Sequence, residues 1–483
     1  MRICFKSRRQ LLHRRVGETL RDNFAATRAA APELVAHHFT QAGLTEAAVE
    51  WWGKAGERSL QKSALVEAIE QLTRALDQIA SLPGTPALRR EQIRLQVALI
   101  TPLIHVRGYA APETRAAAKQ AHMLIQQAEM LGEAPEDPLL LFSVLYSFWL
   151  HNYVAVNGKA MRELARQFLT LADQSPSTAP LMIGSRLTGI TLMTTGDIAG
   201  SLPHYNRALA LYDPAEHRSL ARHFAVDAAV AGLGFRSWSL WLLGYPDAAL
   251  ANAEEGLKNA REFGQAATLM WALFYGCLPH LWCGKYARAK MLADELVYLA
   301  NEKGTPFWKA NGTRAQGYLL AEAGGAVDAI GMIRSGLDAW RSTGSTLRVP
   351  TDLSYLASAY LKVGQFDDAE RCIREAMMAV ESTDERWYEA EVNRIAGEVT
   401  LHSPPRDTSN SEGYFERALA VAREQQAKSW ELRSAMSLAR LWRSQGKPRQ
   451  GRDLLAPVYG WFTEGFDTRD LKAAEALLAE LAP

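Results

Sequence analysis

Apolar residues return along this chain at spacings of three and four, and the stripes they draw are themselves repeated. Gly244, Gly284, Gly324 and Gly364 lie 40 residues apart, and each is followed five residues later by alanine: Ala249, Ala289, Ala329 and Ala369. Behind the marker the apolar positions recur in a fixed order. One unit reads Ala369, Cys372, Ile373, Ala376, Met377 and Val380; another reads Ala289, Leu292, Ala293, Leu296, Val297 and Ala300. Such spacing is one stripe of an α-helix, not the alternation of a strand. Glycine suits a tight turn that needs positive φ after a helix, and the small residue behind it lets a second helix approach closely. The register extends upstream to Gly196, 48 residues before Gly244, and downstream to Gly446. It continues without glycine at Val156 and at Arg406, beside Ser403-Pro404-Pro405.

A helix also precedes each turn, often opening near an aromatic residue: Trp271, Trp308, Trp387 and Trp430. Each unit is then helix, turn, helix, and neither helix can bury its apolar stripe alone. Stacked neighbours bury it, which predicts an all-α, right-handed α-solenoid with a period of about 40 residues and no sheet. The tryptophans at equivalent positions are expected to pack between repeats. Nearer the N-terminus the pattern is looser: Gly43 heads Ala48, Trp51, Trp52 and Ala55, and Ser63 heads Ala68, Leu72, Ala75 and Ile79. Breaks near Pro83 and Pro135 suggest N-terminal helical hairpins over 1–82, irregular helical linker repeats over 83–135 and the regular solenoid over 136–483, continuous across both breaks.

Composition narrows the class. The 483 residues are 48% hydrophobic and 22% charged, as in folded proteins. Lys plus Arg is 54 and Asp plus Glu is 53, so the net charge of +1 argues against a surface built for nucleic acid or an anionic membrane. Two stretches without charge, Pro138 to Gly158 and Gly264 to Gly284, have the length of membrane spans, but polar residues and the repeat register identify them as buried helices. Cys4, Cys277, Cys283 and Cys372 are too scattered for a disulfide framework and read as reduced core cysteines, which points to the cytoplasm. The start of the chain has no apolar run long enough for a secretory signal.

Catalytic patterns are absent. Gly-Lys occurs at Gly53, Gly158, Gly284 and Gly446, but none has the glycine five residues before it, or the Ser/Thr after it, of a phosphate loop. Gly232-Leu-Gly234 lacks the third glycine and preceding strand of a dinucleotide site. His37 and His38 diverge by about 100° on a helix and cannot share a metal ion. Cys277 and Cys283 read as core residues, and Arg8, Arg9, Arg14, Arg15 and Arg21 as a solvated or domain-facing helix side. No catalytic residue, cofactor or metal is expected. The one irregular unit lies between Gly196 and Gly244, where extra residues bring Asp213, His217, Arg218, Arg222, His223 and Asp227 into an otherwise apolar repeat. An insertion in a solenoid projects a loop, and loops carry function more often than stacked helices do. We take Asp213, His217, Arg218, Arg222 and Asp227 as candidate ligand- or partner-binding residues on the concave face, with His217 and Arg218 contacting a peptide or small anion. The alternative is a polar loop that only bridges a longer turn.

The repeats resemble tetratricopeptide repeats in a longer form. Across nearly the whole chain the sequence also resembles the C-terminal helical-repeat region of bacterial signalling ATPases that carry a class III adenylate/guanylate cyclase domain. The strings that carry this resemblance are Pro32-Glu-Leu-Val-Ala-His37-His38-Phe39, Tyr212-Asp-Pro-Ala-Glu-His217-Arg218, Leu240-Trp-Leu-Leu-Gly-Tyr-Pro-Asp247, Gln426-Ala-Lys-Ser-Trp430-Glu-Leu-Arg433 and Leu455-Ala-Pro-Val-Tyr-Gly-Trp-Phe462. The chain departs from that family after the His-Arg segment, where a Gly-Gln-Asp-Pro-like string is replaced by Phe224-Ala-Val-Asp227-Ala. The resemblance implies a non-catalytic scaffold or sensor in bacterial signal transduction that binds a protein partner or small ligand and regulates an associated ATPase or nucleotide cyclase. It equally implies an alternative, a fragment of an adenylate cyclase whose catalytic and phosphate-loop domains lie upstream of Met1. Neither nucleic acid nor membrane is an expected partner.

Overall fold

The structure, a computed structural model, describes the backbone of residues 2–133 and 137–482 and the side chains from residue 7 onward. The side chain of Cys4 and the break near Pro135 fall outside what is described. Among the described residues every regular element is helical. The N-terminal helix Arg2–Asn23 packs on Pro32–Ala42, and from Thr45 the chain is a run of helix hairpins that ends in Arg469–Glu480. Consecutive helices pack side by side throughout, including across Leu82-Pro-Gly-Thr and from Pro112–Met130 to Leu139–Val154. The fold is an α-solenoid. Its turns fall where the repeat places them: Gly196, Gly244, Gly284, Gly324, Gly364 and Gly446 all have positive φ, and Val156 adopts φ 50 in the same role.

The two helices of each hairpin differ in kind. The second is amphipathic: Phe366–Ser382 buries only Ala369, Cys372, Ile373 and Ala376, the stripe seen in the sequence. The first is buried nearly all round. Ala266–Trp282 is buried at every position except Leu269, and Leu139–Val154 buries both Trp149 and Tyr153. A helix covered on every side needs neighbours beyond its own repeat. They come from the next turn of the superhelix, 188, 192 and 203 residues further along the chain. The amides of Thr346 and Leu347 donate to the carbonyl of Val154, those of Arg386 and Trp387 to Thr194, and that of Arg469 to Cys283. The Ser429 hydroxyl donates to the Trp241 carbonyl. These carbonyls close the first helix of a hairpin, where a helix leaves acceptors without intrahelical partners. Loops of one superhelical turn therefore cap helix ends of the previous turn.

Aromatic residues fill the axis where the turns meet. Trp238 lies 5.5 Å from Trp387 between ring centroids, and Trp241 lies 4.8 Å from Trp430. Of the repeated tryptophans, Trp271 and Trp430 pack on adjacent repeats, as expected, and Trp308, Trp387 and Trp430 bridge successive turns. Pro138–Gly158 and Gly264–Gly284 contain the buried helices Leu139–Val154 and Ala266–Trp282, and no helix of the described residues is long and apolar enough to cross a membrane.

Closure separates glycines that look identical in the sequence. A β-carbon on Gly244 would meet Trp461 at 2.6 Å and Lys428 at 2.8 Å, whereas one on Gly364 meets nothing within 4 Å. Both have a left-handed backbone, at φ +91 and +77, so alanine costs roughly 1–2 kcal/mol at either. Gly244→Ala must also displace the next turn. It is expected to lower the thermal unfolding midpoint by more than Gly364→Ala does; equal losses would mean that the turns do not touch.

Candidate functional site

The long unit between Gly196 and Gly244 folds as three short helical pieces, Pro214–His217, Arg218–Leu220 and Ala221–Phe224, before the helix Ala228–Leu242. Its polar residues divide into two groups. Asp213 caps the first piece, its carboxylate accepting from the Ala215 amide at 2.8 Å. His217 is buried, and its Nδ1 accepts from the Asp213 amide at 2.9 Å. Asp227 is buried too; it accepts from the Val230 amide at 3.0 Å and from the Tyr212 hydroxyl at 2.6 Å. Burial, followed by the Asp227 carboxylate, pushes the Tyr212 phenol above its usual value. Asp213, His217 and Asp227 thus hold the shape of the insertion. Arg218, Arg222 and His223 face outward from it into a cavity of about 810 Å³.

The cavity lies at the seam between the first and second superhelical turns. One wall is the helix Pro86–Arg107, which presents Arg90, Arg94 and Ile93; others come from Thr45–Gln61, Leu140 and the segment Phe263–Ala267. The Ser63 hydroxyl, which accepts from the Ala266 amide at 3.2 Å, closes the seam beside it. The insertion is clamped to the Pro86–Arg107 helix by two bonds. The Thr101 hydroxyl donates to the Arg222 carbonyl at 2.9 Å, and the Nε2 proton of His105 goes to the Ala225 carbonyl at 2.9 Å. The other nitrogen of His105, Nδ1, accepts from the Trp308 indole at 3.1 Å. That pair of bonds fits one neutral tautomer, and burial lowers the pKa of His105 to about 4.

A buried neutral histidine gives a prediction with a definite sign. With a folded pKa near 4 and an ordinary value of 6.5, the unfolded chain takes up a proton in that interval which the folded chain refuses. The stability His105 brings is therefore full above pH 6.5 and fades as the pH falls toward 4. His105→Ala leaves the Ala225 carbonyl and the Trp308 indole unpaired and is expected to cost about 2–4 kcal/mol at pH 7.5. The cost should be smaller at pH 4.5, read by urea unfolding at both pH values; a cost that grows on acidification would contradict the neutral clamp.

Charge in the cavity is unevenly balanced. Arg94 is paired with Glu57 and, at 2.6 Å, with Glu91, and burial raises the Glu91 carboxyl. His223 binds Ser143 at 3.2 Å and Arg222 at 3.0 Å, with Asp137 at 3.9 Å; burial, then Arg222, lowers its pKa to about 4. Among the described residues neither Arg218 nor Arg222 has a carboxylate within ion-pair distance. The cavity is of a size to accept a ligand. Cys277, Cys283 and Cys372 are free and buried, and burial pushes their thiols up to about 12, 12 and 11. His38 lies 2.9 Å from His13, yet among the described residues no three His, Cys, Asp or Glu side chains are placed to hold a metal ion. Arg90, Arg94 and His105 are the cavity residues that sequence reasoning missed. They sit in the loosely patterned N-terminal part, more than a hundred residues before the insertion they face.

No family model matches the chain. Among curated proteins it is similar to an uncharacterized protein of Rhizobium meliloti, 22% identical over 392 residues, which is 80% of this chain and 37% of that protein. The chain thus matches little more than a third of the length of this relative. Among solved structures it is similar to a Rap protein complexed with competence and sporulation factor, at 13% identity and a TM-score of 0.54, covering 81% of this chain and 100% of that one. It also matches a signal transduction ATPase with numerous domains from Pyrococcus horikoshii, a protein with a tetratricopeptide repeat sensor, at 10% identity and a TM-score of 0.37, covering 86% of this chain and 54% of that one. With the Rap protein the chain shares a tetratricopeptide-like helical solenoid.

Proposed function

We propose that this chain is a non-catalytic sensor scaffold of bacterial signal transduction, and that it binds its ligand or partner in the cavity between the insertion and the Pro86–Arg107 helix. One observation carries the reading: Arg218 and Arg222, from the 48-residue repeat, converge with Arg90 and Arg94 on a cavity of about 810 Å³. The factor bound to the similarly folded Rap protein is in keeping with it. In this reading 1–82 and 83–135 supply one wall of the site and 136–483 the other. His105 links the insertion to Trp308 in the next superhelical turn, so occupancy is felt beyond the cavity. The family resemblance extends the proposal to regulation of an associated ATPase or nucleotide cyclase.

Native mass spectrometry of the full chain, mixed with a small-molecule extract of its own cells, tests the site. The wild-type chain is expected to carry an adduct that Arg218→Ala/Arg222→Ala does not; equal adducts on both would place binding elsewhere.

A second reading is that the chain is the repeat part of an adenylate cyclase whose catalytic and phosphate-loop domains lie upstream of Met1. The Rhizobium meliloti relative, most of whose length lies outside the matched region, is in keeping with a longer protein. An antibody against residues 364–483 would detect only a much larger native protein if this holds. A native band near 53 kDa, the mass of the chain, contradicts it.

A further inference from the structure

We infer that the cavity takes a small amphipathic anion: a carboxylate or phosphate head on Arg218 and Arg222, with an apolar body laid against Ile93, Val97 and Leu140. The inference rests on the reading of this cavity as the sensing site and names the class of ligand.

Size argues for a small molecule. About 810 Å³ falls within the roughly 300–1,000 Å³ of small-ligand sites, whereas a protein partner needs a broad surface of about 800 Å² on each side. Charge argues for an anion. The guanidinium groups stand four residues apart on successive short helices, both lining the cavity, and among the described residues neither has a carboxylate within ion-pair distance. Glu57 and Glu91 hold Arg94, and Asp137 accepts from the Leu139 amide at 2.9 Å. Arg222 gives its Nε proton to His223, which leaves its two terminal nitrogens to the cavity. A guanidinium cannot shed its proton, and its fork matches carboxylate and phosphate oxygens. His223 and His105 are both neutral, so the arginines hold their charge without help or competition from imidazolium across the ordinary pH range.

The apolar part of the lining argues for an apolar body. Ile93, Val97 and Leu140 line the cavity, with Phe263 and Ala98 at its margin. A polar ligand would lie against these side chains without hydrogen-bond partners, while each methylene of an alkyl body buried there adds affinity. A bare anion would use the two arginines and waste the wall. An uncharged apolar molecule would leave both guanidinium groups without an anionic partner.

Isothermal titration of the full chain, below the micelle concentration, with decanoate, decyl phosphate, decyltrimethylammonium, acetate and inorganic phosphate tests the inference. Decanoate and decyl phosphate are expected to bind. Acetate and inorganic phosphate should be weaker by tenfold or more, and the cationic amphiphile weaker still. Comparing decanoate with decyl phosphate tells which head the arginines prefer. Arg218→Gln/Arg222→Gln should weaken both anionic amphiphiles roughly tenfold or more. Ala98→Phe, which grows from a half-buried position into the cavity, should weaken them as well; circular dichroism confirms that both variants are folded. Equal affinity for the cationic amphiphile, full affinity in the double glutamine variant, or no binding of any amphiphile overturns the anionic class. Loss of affinity in Ala98→Phe alone keeps the cavity as the site while the head assignment fails. Full affinity in every variant removes the cavity itself, and with it the proposed function.

Discussion

Replacing Asp352 with alanine is expected to cost about 3–5 kcal/mol, because it strands a cation that has no route to water. Arg314 and Asp352 are both completely buried, and the pair is bidentate: Nε to Oδ1 at 2.8 Å and Nη2 to Oδ2 at 2.6 Å. The Tyr318 hydroxyl donates to the same carboxylate, and the guanidinium lies 4.7 Å from the centre of the Trp340 ring. Burial works against the charge on Arg314, but Asp352 and Tyr318 outweigh it and hold the guanidinium above its usual value. Removing one partner therefore differs from removing both. Arg314→Met/Asp352→Leu takes away the stranded charge and replaces it with apolar volume, and is expected to recover most of the loss. Urea unfolding of the two variants beside the wild type checks this. A loss below about 1 kcal/mol for Asp352→Ala would mean that the pair is solvated.

Trp238→Ala is expected to cost a similar amount, about 3–5 kcal/mol, and to loosen a part of the chain remote in sequence. Trp238 is 1% exposed and its indole donates to the Tyr275 carbonyl at 2.9 Å. Its ring also stands 5.2 Å from Trp282 and 5.5 Å from Trp387. The first two contacts belong to the neighbouring repeat. The third joins the hairpin at Ala228–Leu242 to the start of Glu389–His402, one superhelical turn away. Cavity formation supplies the energy loss, and the loss of Trp387's neighbour supplies the remote effect. Hydrogen exchange should therefore quicken in 384–402 as well as around residue 238. Quickening confined to 228–282 would show that the turns are held together elsewhere.

What could be read from the sequence follows from what a periodic pattern encodes. The 40-residue step, the stripe behind each marker and the left-handed turn depend on residues close together in the chain, and the structure has all three. Closure of the superhelix depends on residues some 190 apart, and no stripe records which turn a helix meets next. A trace of it was present: Leu139–Val154 and Ala266–Trp282 have no polar face, and a helix apolar all round must be covered all round. The candidate site was legible by its spacing alone, since 48 residues stand where 40 are expected. The sequence could not separate Asp213, His217 and Asp227, which brace the insertion, from Arg218 and Arg222, which face the cavity, because all five are polar residues in one loop. Nor could it pair Arg222 with the helix that carries Thr101 and His105. That wall is set by the inter-turn geometry, in a region where the repeat is weakest.

Hydrogen exchange of the full chain, with and without decyl phosphate at saturation, puts the sensing cavity to the question. The cavity predicts slowed exchange in Pro86–Arg107 and in 213–227, extending through His105 and Trp308 to Pro306–Glu322. Slowed exchange confined to the helices from Glu389 to Ser444, with the insertion unchanged, would contradict it.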